Sequence, residues 1–378
     1  MTRPTPAARP ARRRSFLVAA ALLAGSAGGL VPVLPASQCL AAPAAAPEDE
    51  VIPPEVEQSV DKALAWLATK QGKDGAKPGS WDTGRASTTA VTALTLKAFM
   101  ARGHVPGQGK YGDVINGAID YLLEVQRDDG LVAGRDGNAV MYEHGIATAA
   151  LGECYGMVDD ARKARIEKAL AKAVKLTLDA QAVSKGQGHE GGWRYTRTAA
   201  DSDISVTGWQ LMAMRSAANC GAHVPKEALE KGREYVRRCH RPDGSEAAGF
   251  SYQAGHGPPN AARTGTAIVS LEMLGDHLSK EAVGGGKYLL ANPVTSPNEA
   301  HYYYTIYYVS QALYHLGGEY WQEGYVKKLR PTILANQGPE GTWPVGQGQE
   351  QEAGEAYRTS MAVLALCVPY RYLPLFQK

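Results

Sequence analysis

The chain has 378 residues, of which 44% are hydrophobic and 21% are charged, as in ordinary globular proteins. Its formal net charge is +2, and the positive excess lies entirely in residues 1–46, which hold five arginines and no acidic residue. Without that segment, 35 Lys and Arg residues stand against 38 Asp and Glu residues. This balance excludes the strongly basic proteins, and no nucleic-acid partner is expected.

The first predicted element is a signal peptide over residues 1–46. Arg12, Arg13 and Arg14 precede an apolar run rich in Ala, Leu and Gly, and small-residue cleavage sites follow it. The Arg13-Arg14 pair also resembles a twin-arginine signal, so ordinary secretion and twin-arginine export stand as two alternatives. We expect a periplasmic or extracellular protein whose mature chain has no transmembrane span.

Residues 47–56 are predicted to be a linker, and residues 57–378 to be one domain of six repeats. Each repeat begins with a helix that ends in a polar residue and leads into a turn. These polar residues recur at intervals of 55, 55, 59, 52 and 45 residues: Gln71, Gln126, Gln181, His240, Asn292 and Gln337. A period of this length indicates helical hairpins that bury their apolar faces against neighbouring hairpins.

The two helices of a repeat differ in their pattern. The first is amphipathic, as in the stripe formed by Val60, Ala63, Leu64 and Leu67. The second, such as the one that contains residues 90–96, is small or apolar nearly all round, which is typical of a buried helix. We therefore predict an all-α (α/α)6 toroid, with the second helices forming an inner ring around a central cavity. An open solenoid is the alternative.

The turns carry a more specific signal. The spacing Gln-x3-Gly-x-Trp occurs at residues 187–193 and 337–343, and an interrupted copy runs from Gln71 through Gly75 to Trp81. This spacing resembles the repeat of terpene cyclases and protein prenyltransferase β subunits, the squalene cyclase/prenyltransferase repeat class. The resemblance covers roughly residues 55–370 and implies an (α/α)6 toroid fold.

One acidic run also resembles a motif of this class. Asp201-Ser202-Asp203 is similar to the start of the Asp-x-Asp-Asp-Thr motif of class II cyclases, in which an aspartic acid protonates an isoprenoid alkene or epoxide. The resemblance places Asp203 on the proton donor and Asp201 on the first Asp, but Ile204 and Ser205 depart from the motif. The alternative role for Asp203 is to cap the N-terminus of the helix that follows.

Aromatic residues gather near the same ends of the predicted inner helices. Helical spacing puts Tyr304, Tyr307 and Tyr308 on one face, with Tyr302 close by and Trp209 on the third inner helix. We predict that they line an apolar or cation-stabilising pocket that binds a ligand. Packing between the two rings of helices is the alternative.

Four polar residues are further candidates for ligand binding at this end. Arg263 and Arg358 lie close to the starts of inner helices and are predicted either to bind an anionic group or to pair with nearby acids. Glu143 and His144 begin the second inner helix. Prenyltransferases of the same fold use an Asp, Cys and His zinc site, but no Asp-x-Cys spacing accompanies these residues, so we predict no metal and no cofactor.

Three functions fit these features. The favoured one is an exported toroid that binds a lipid or isoprenoid-like ligand in an aromatic cavity with an acidic mouth. The alternatives are a terpene cyclase-like enzyme with Asp203 as proton donor and a non-catalytic interaction scaffold. Catalysis is disfavoured because the acidic motif is incomplete, because squalene cyclases build their cavity between two domains, and because export removes the chain from cytoplasmic isoprenoids. The fold alone does not choose among these functions.

Overall fold

The computed structural model describes residues 52–73, 76–81, 88–134, 137–242 and 244–374. The predicted signal peptide lies outside these residues, as does the first half of the predicted linker. In the part that is described, regular secondary structure is helical, and extended segments pair only as isolated β-bridges.

Helices alternate with turns along the whole of this part. In chain order they are α1 (Pro54–Lys70), α2 (Thr88–Ala101), α3 (Gly112–Glu124), α4 (Val140–Cys154), α5 (Asp160–Ala182), α6 (Ile204–Asn219), α7 (Lys226–Arg238), α8 (Ala261–Met273), α9 (Lys280–Ala291), α10 (Tyr302–Leu316), a π-helical segment (Tyr320–Leu329) that continues into α11 (Arg330–Ala335), and α12 (Gly354–Cys367). Short 3-10 helices lie at Gly109–Tyr111, Gly348–Glu352 and Val368–Tyr370.

The even-numbered helices form a closed inner ring. Each of them contacts the next even-numbered helix, and α12 contacts α2. The odd-numbered helices lie outside, against the inner helices. Thus α1 contacts both α12 and α2, whereas α11 contacts α12 and the π-helical segment before it contacts α10. The prediction of an (α/α)6 toroid is confirmed, and the alternative of an open solenoid is wrong.

Inner and outer helices differ in burial as their sequences predict. All of the residues from Thr89 to Ala101 of α2 are buried, whereas α1 buries one stripe and exposes the opposite face. Glycine lets neighbouring inner helices approach closely. A Cβ on Gly265 of α8 would lie 3.0 Å from the backbone of Tyr308 on α10. Small residues therefore set the narrow spacing of the inner ring.

In four repeats, the turn motif joins one outer helix to the next. In the last repeat, the Gln337 side chain donates hydrogen bonds to the carbonyl oxygen of Gly341, at 3.0 Å, and to that of Ser59 in α1, at 2.9 Å. The Trp343 ring nitrogen donates to the Ile333 carbonyl oxygen at 2.7 Å. Gln337 thus bonds the last turn to the first helix and helps to close the ring.

Three other repeats make the same pair of bonds: Gln71 donates to Gly79 and Val114, Gln126 to Gly130 and Ala169, and Gln181 to Gly191 and Ala228. Two assignments made from spacing therefore need correction. The third repeat uses Gln181, whereas Gln187 is exposed. The first repeat uses Gly79 as its motif glycine, and Gly75 lies outside the described residues. Insertions of several residues separate Gln from Gly in these two turns.

Candidate functional site

The inner helices begin at one end of the ring, which we call the mouth. Asp203 lies there as the N-cap of α6, and its side chain is fully buried. One carboxylate oxygen accepts hydrogen bonds of 2.9 Å from the backbone N–H groups of Ser205 and Val206, and the other accepts one of 2.9 Å from the Arg194 guanidinium. Asp203 therefore accepts hydrogen bonds from two N–H groups at the start of α6 that have no partner within the helix, and it holds Arg194 at the mouth.

Burial raises the pKa of Asp203 to about 6, although the N–H groups of Val206 and Ser205 and the Arg194 guanidinium favour the ionised form. Desolvation is the largest effect because no part of the side chain reaches solvent. Near neutral pH a fraction of the molecules thus carries a protonated Asp203.

Replacing Asp203 with Asn is expected to change the pH dependence of stability. Because folding raises the pKa of Asp203 from 3.8 to about 6, its contribution to stability is fully present below pH 3.8 and is lost as the pH rises through about 6. Asparagine does not titrate. The wild-type free energy of unfolding should fall relative to that of the variant across this window, by about 2 to 3 kcal/mol in total. Chemical denaturation of both chains between about pH 4 and pH 7 measures the difference. Parallel pH profiles contradict the prediction.

Arg194 lies at the centre of a polar and aromatic cluster. Its Nε lies 3.1 Å from a carboxylate oxygen of Asp201, so it pairs with both of the aspartates singled out in the sequence. The guanidinium carbon lies 4.1 Å from the ring centre of Tyr195 and 5.2 Å from that of Tyr252. The two tyrosine hydroxyl groups share a short hydrogen bond, and Arg194 donates to Tyr252 at 3.0 Å. Arg194 is thus fixed in position by charge, hydrogen bonds and stacking.

Three partly exposed residues of this cluster and two neighbouring tyrosines define what we call the mouth recess: Arg194, Tyr195, Tyr252, Tyr142 and Tyr304. The rings of Tyr142 and Tyr195 lie 5.9 Å apart. Burial raises the pKa of Tyr142 well above 10.0, and the nearby Asp203 carboxylate and the hydroxyls of Tyr304, Tyr252 and Tyr195 raise it further. Side chains from the starts of two inner helices, α4 and α10, and from the turns before α6 and α8 therefore meet in one place.

The aromatic residues deeper in the ring are fully buried. Trp209 stacks on Tyr307 with ring centres 5.5 Å apart, and Tyr308 packs edge-on against Tyr307 at 4.9 Å. The Lys97 ammonium lies 5.8 Å from the ring centres of both Trp209 and Tyr307, and 3.6 Å from a carboxylate oxygen of Glu153. These side chains fill the middle of the ring, so the recess lies above a packed centre.

The other predicted ligand-binding residues lie in the wall of the toroid or at its rim. Tyr302 is fully buried and packs edge-on against Tyr303. Glu143 is buried near the start of α4. Arg358 is also buried, and it donates to the Trp343 carbonyl at 2.6 Å and to Glu355 at 2.8 Å.

His144 is bonded on both ring nitrogens. Its Nδ1 lies 3.2 Å from the Val132 backbone nitrogen, and its Nε2 lies 3.2 Å from the Ala173 carbonyl oxygen and 3.0 Å from the Thr177 hydroxyl. Burial lowers the pKa of His144 to about 4, so the ring is neutral. Thr207 accepts the corresponding bond from the Trp193 backbone nitrogen in the next repeat. His144 thus joins a turn to two helices and does not line the mouth recess.

Several residues of the mouth were not predicted from the sequence. Arg194 and Tyr195 directly follow the motif Trp193, and that position is the signal that would have identified them. Glu350 lies in the 3-10 helix before α12 and caps α10, where one carboxylate oxygen accepts a hydrogen bond of 3.1 Å from the Tyr303 backbone nitrogen and the other one of 2.9 Å from that of Tyr304. Burial raises the pKa of Glu350, as it does for Asp203.

The residues that the structure describes offer neither a metal centre nor a membrane-spanning helix. No group of three or more His, Cys, Asp and Glu side chains there could hold a metal ion. None of the described helices is both long enough and apolar enough to cross a membrane.

Known structures share this architecture. The chain is similar to an inactive variant of the α-1,6-mannanase GH76A of Salegentibacter sp. HEL1_6 in complex with α-1,6-mannotriose, with 10% identity, a TM-score of 0.56, and coverage of 82% of this chain and 99% of that chain. It is also similar to the type II terpene cyclase MstE from Scytonema, with 13% identity, a TM-score of 0.51, and coverage of 84% and 99%. The chain has the α/α toroid fold of these proteins.

A third similar structure is a possible member of the GH105 family from Klebsiella pneumoniae, with 13% identity, a TM-score of 0.52, and coverage of 85% of this chain and 94% of that chain. No protein-family model matches the chain, and no curated protein matches it. These structures confirm the α/α toroid fold that the turn motif predicted. The chemistry must be argued from the mouth itself.

Proposed function

We propose that this protein binds one apolar or isoprenoid-like ligand in the mouth recess, after export directed by residues 1–46. The observation that carries the proposal is the set of partly exposed tyrosine rings around the Asp203–Arg194 pair. The hydroxyls of Tyr195 and Tyr252 bond to each other, and Tyr252 also accepts from Arg194. These hydroxyls are therefore engaged within the protein, and a ligand meets mainly the carbon atoms of the tyrosine rings, which suit apolar groups.

A terpene cyclase-like reaction is the second candidate function. In its favour, burial raises the pKa of Asp203 to about 6, so a proton is available near neutral pH. Against it, Asp203 accepts two backbone hydrogen bonds and one from Arg194, which favour the ionised form and leave its oxygens directed at the protein. Binding without turnover is the better account of this geometry.

The filled centre of the ring is the feature that favours the scaffold alternative. Trp209, Tyr307 and Tyr308 occupy the space in which a long apolar ligand would lie. The proposal therefore places the ligand above these rings, against Tyr142 and Tyr304, which keep partial exposure.

Mass spectrometry of an organic extract tests the proposal. The mature protein is purified from its native envelope as the wild type, as Tyr304→Ala and as the control Tyr155→Ala. Tyr155 is a partly exposed tyrosine at the opposite end of α4 from the mouth. We expect a stoichiometric isoprenoid or lipid in the wild type and the control, and at least about tenfold less in Tyr304→Ala, because a buried aromatic contact is lost.

Two outcomes would redirect the assignment. An Asp203→Asn protein that holds a linear precursor, where the wild type holds its cyclised isomer, would establish the cyclase function. A wild-type extract without a stoichiometric small molecule would contradict ligand binding and favour the scaffold.

A further inference from the structure

Arg263 differs from the other cationic residues of the mouth. It is the third residue of α8 and is partly exposed. Its guanidinium carbon lies 5.3 Å from the ring centre of Tyr252, and one of its nitrogens donates to the Pro258 carbonyl oxygen at 2.8 Å. The guanidinium is thus held in place at the rim of the mouth recess by stacking and one neutral hydrogen bond.

Three other cations near the mouth are paired with acids or directed elsewhere. Arg194 pairs with Asp201 and Asp203. Arg358 is buried against Glu355. Lys185 donates to the Ala199 carbonyl oxygen and interacts electrostatically with Asp201. The two positive charges of Lys185 and Arg194 thus balance the two negative charges of Asp201 and Asp203.

In the part of the chain that the structure describes, Arg263 has no carboxylate within ion-pairing distance. A guanidinium carries five N–H donors, and the bond to Pro258 uses one of them. The remaining donors have the planar fork geometry that matches the oxygens of a carboxylate or a phosphate. Tyr252 contacts both Arg263 and Arg194. A ligand whose anionic group is bound to Arg263 could therefore place the rest of its structure against the tyrosine rings of the recess.

We infer that the ligand of the mouth recess is amphipathic, with an anionic carboxylate or phosphate group that Arg263 binds and an apolar body that lies against the tyrosines. This inference rests on the proposed function, since it concerns the same recess. It narrows the ligand class from neutral isoprenoids to isoprenoid acids and isoprenoid phosphates.

Isothermal titration calorimetry on the mature protein tests the inference with three probes: farnesol, farnesoic acid and farnesyl monophosphate. The wild type should bind at least one of the two anions at least about tenfold more tightly than farnesol, as a charge-assisted hydrogen-bond pair implies. Comparison of the two anions distinguishes a carboxylate from a phosphate ligand.

The variant Arg263→Gln should lose that preference and bind the anions about as weakly as farnesol, with farnesol itself changed by less than about twofold. Arg215→Gln is the matched control, because Arg215 is an exposed arginine on α6 far from its mouth end. It removes the same charge and should leave all three affinities unchanged.

Binding of all three probes with equal affinity would overturn this inference and leave the proposed function standing. Failure of the wild type to bind any of them would overturn both.

Discussion

Replacing Lys97 alone with Met is expected to lower the free energy of unfolding by about 3 to 5 kcal/mol. Lys97 and Glu153 form an ion pair in the middle of the ring, and neither side chain has any exposed surface. Burial lowers the pKa of Lys97, but Glu153 and Tyr307 outweigh that effect and raise it above 10.5, so the ammonium is charged. Removing it deprives the buried Glu153 carboxylate of its cationic partner, which is the costly half of a broken pair.

The double variant Lys97→Met/Glu153→Leu should recover most of this loss, because apolar residues of similar volume replace both charges. The exposed pair of Lys175 and Asp179 supplies the control: Lys175→Met should change stability by less than about 0.5 kcal/mol. Chemical denaturation of the wild type and the three variants gives the four free energies. A double variant no more stable than Lys97→Met would show that Lys97 acts through packing and not through its charge.

The second large effect is expected at Gly191, where Ala should cost about 2 to 5 kcal/mol. Gly191 has a φ of +82°, and a Cβ there would lie 2.2 Å from the Lys231 carbonyl oxygen in α7. The left-handed backbone costs about 1 to 2 kcal/mol for alanine, and displacing the backbone of a packed helix adds about 1 to 3 kcal/mol. Gly130 and Gly341 occupy the same place in their turns, with φ of +94° and +92°.

A second glycine separates the two causes. Gly221 has a φ of +85°, but a Cβ there would meet no atom within 4 Å. Gly221→Ala should therefore cost only the backbone term of about 1 to 2 kcal/mol. The difference between the unfolding free energies of the two variants measures the cost of the close approach between residue 191 and α7. Equal losses at both sites would mean that the turn and α7 yield easily, and that the motif glycine serves the backbone conformation alone.

The fold was predictable because the turn motif makes the same two contacts each time it occurs, one within its own turn and one to the neighbouring outer helix. Gln337 and Trp343 are six residues apart, and both bond to carbonyl oxygens at the end of the same hairpin or the start of the next. Such contacts recur with the repeat and leave a periodic pattern in the sequence. The errors at Gln187 and Gly75 arose where turns carry insertions, which loops tolerate at little cost in free energy. Fixed spacing cannot identify the motif residues across a loop of variable length.

The mouth was less predictable because its geometry is set between repeats. Asp203 and Asp201 were identified, and both lie at the mouth on Arg194. Arg194 itself lies in a turn, and only the folded ring brings Tyr252 of the following repeat against it. Tyr304 and Tyr307 lie on one face of α10, yet one is partly exposed and the other is packed against Lys97. How deep each side chain lies along the axis of the ring depends on the tertiary structure, and helical periodicity does not encode it.

The bond from Gln337 to Ser59 and the contact of α12 with α2 have a consequence for how this protein can change. An open array can gain or lose a single unit at its end, and its terminal units fray first. A closed circle has no terminal unit, since every hairpin is held on two sides. Deleting or duplicating one hairpin would require every remaining angle between neighbours to change together. The closed geometry therefore fixes the number of hairpins, but it does not fix the position of the chain termini within the ring. If new termini were opened in an exposed turn and the old ones were joined, the same closed ring should form.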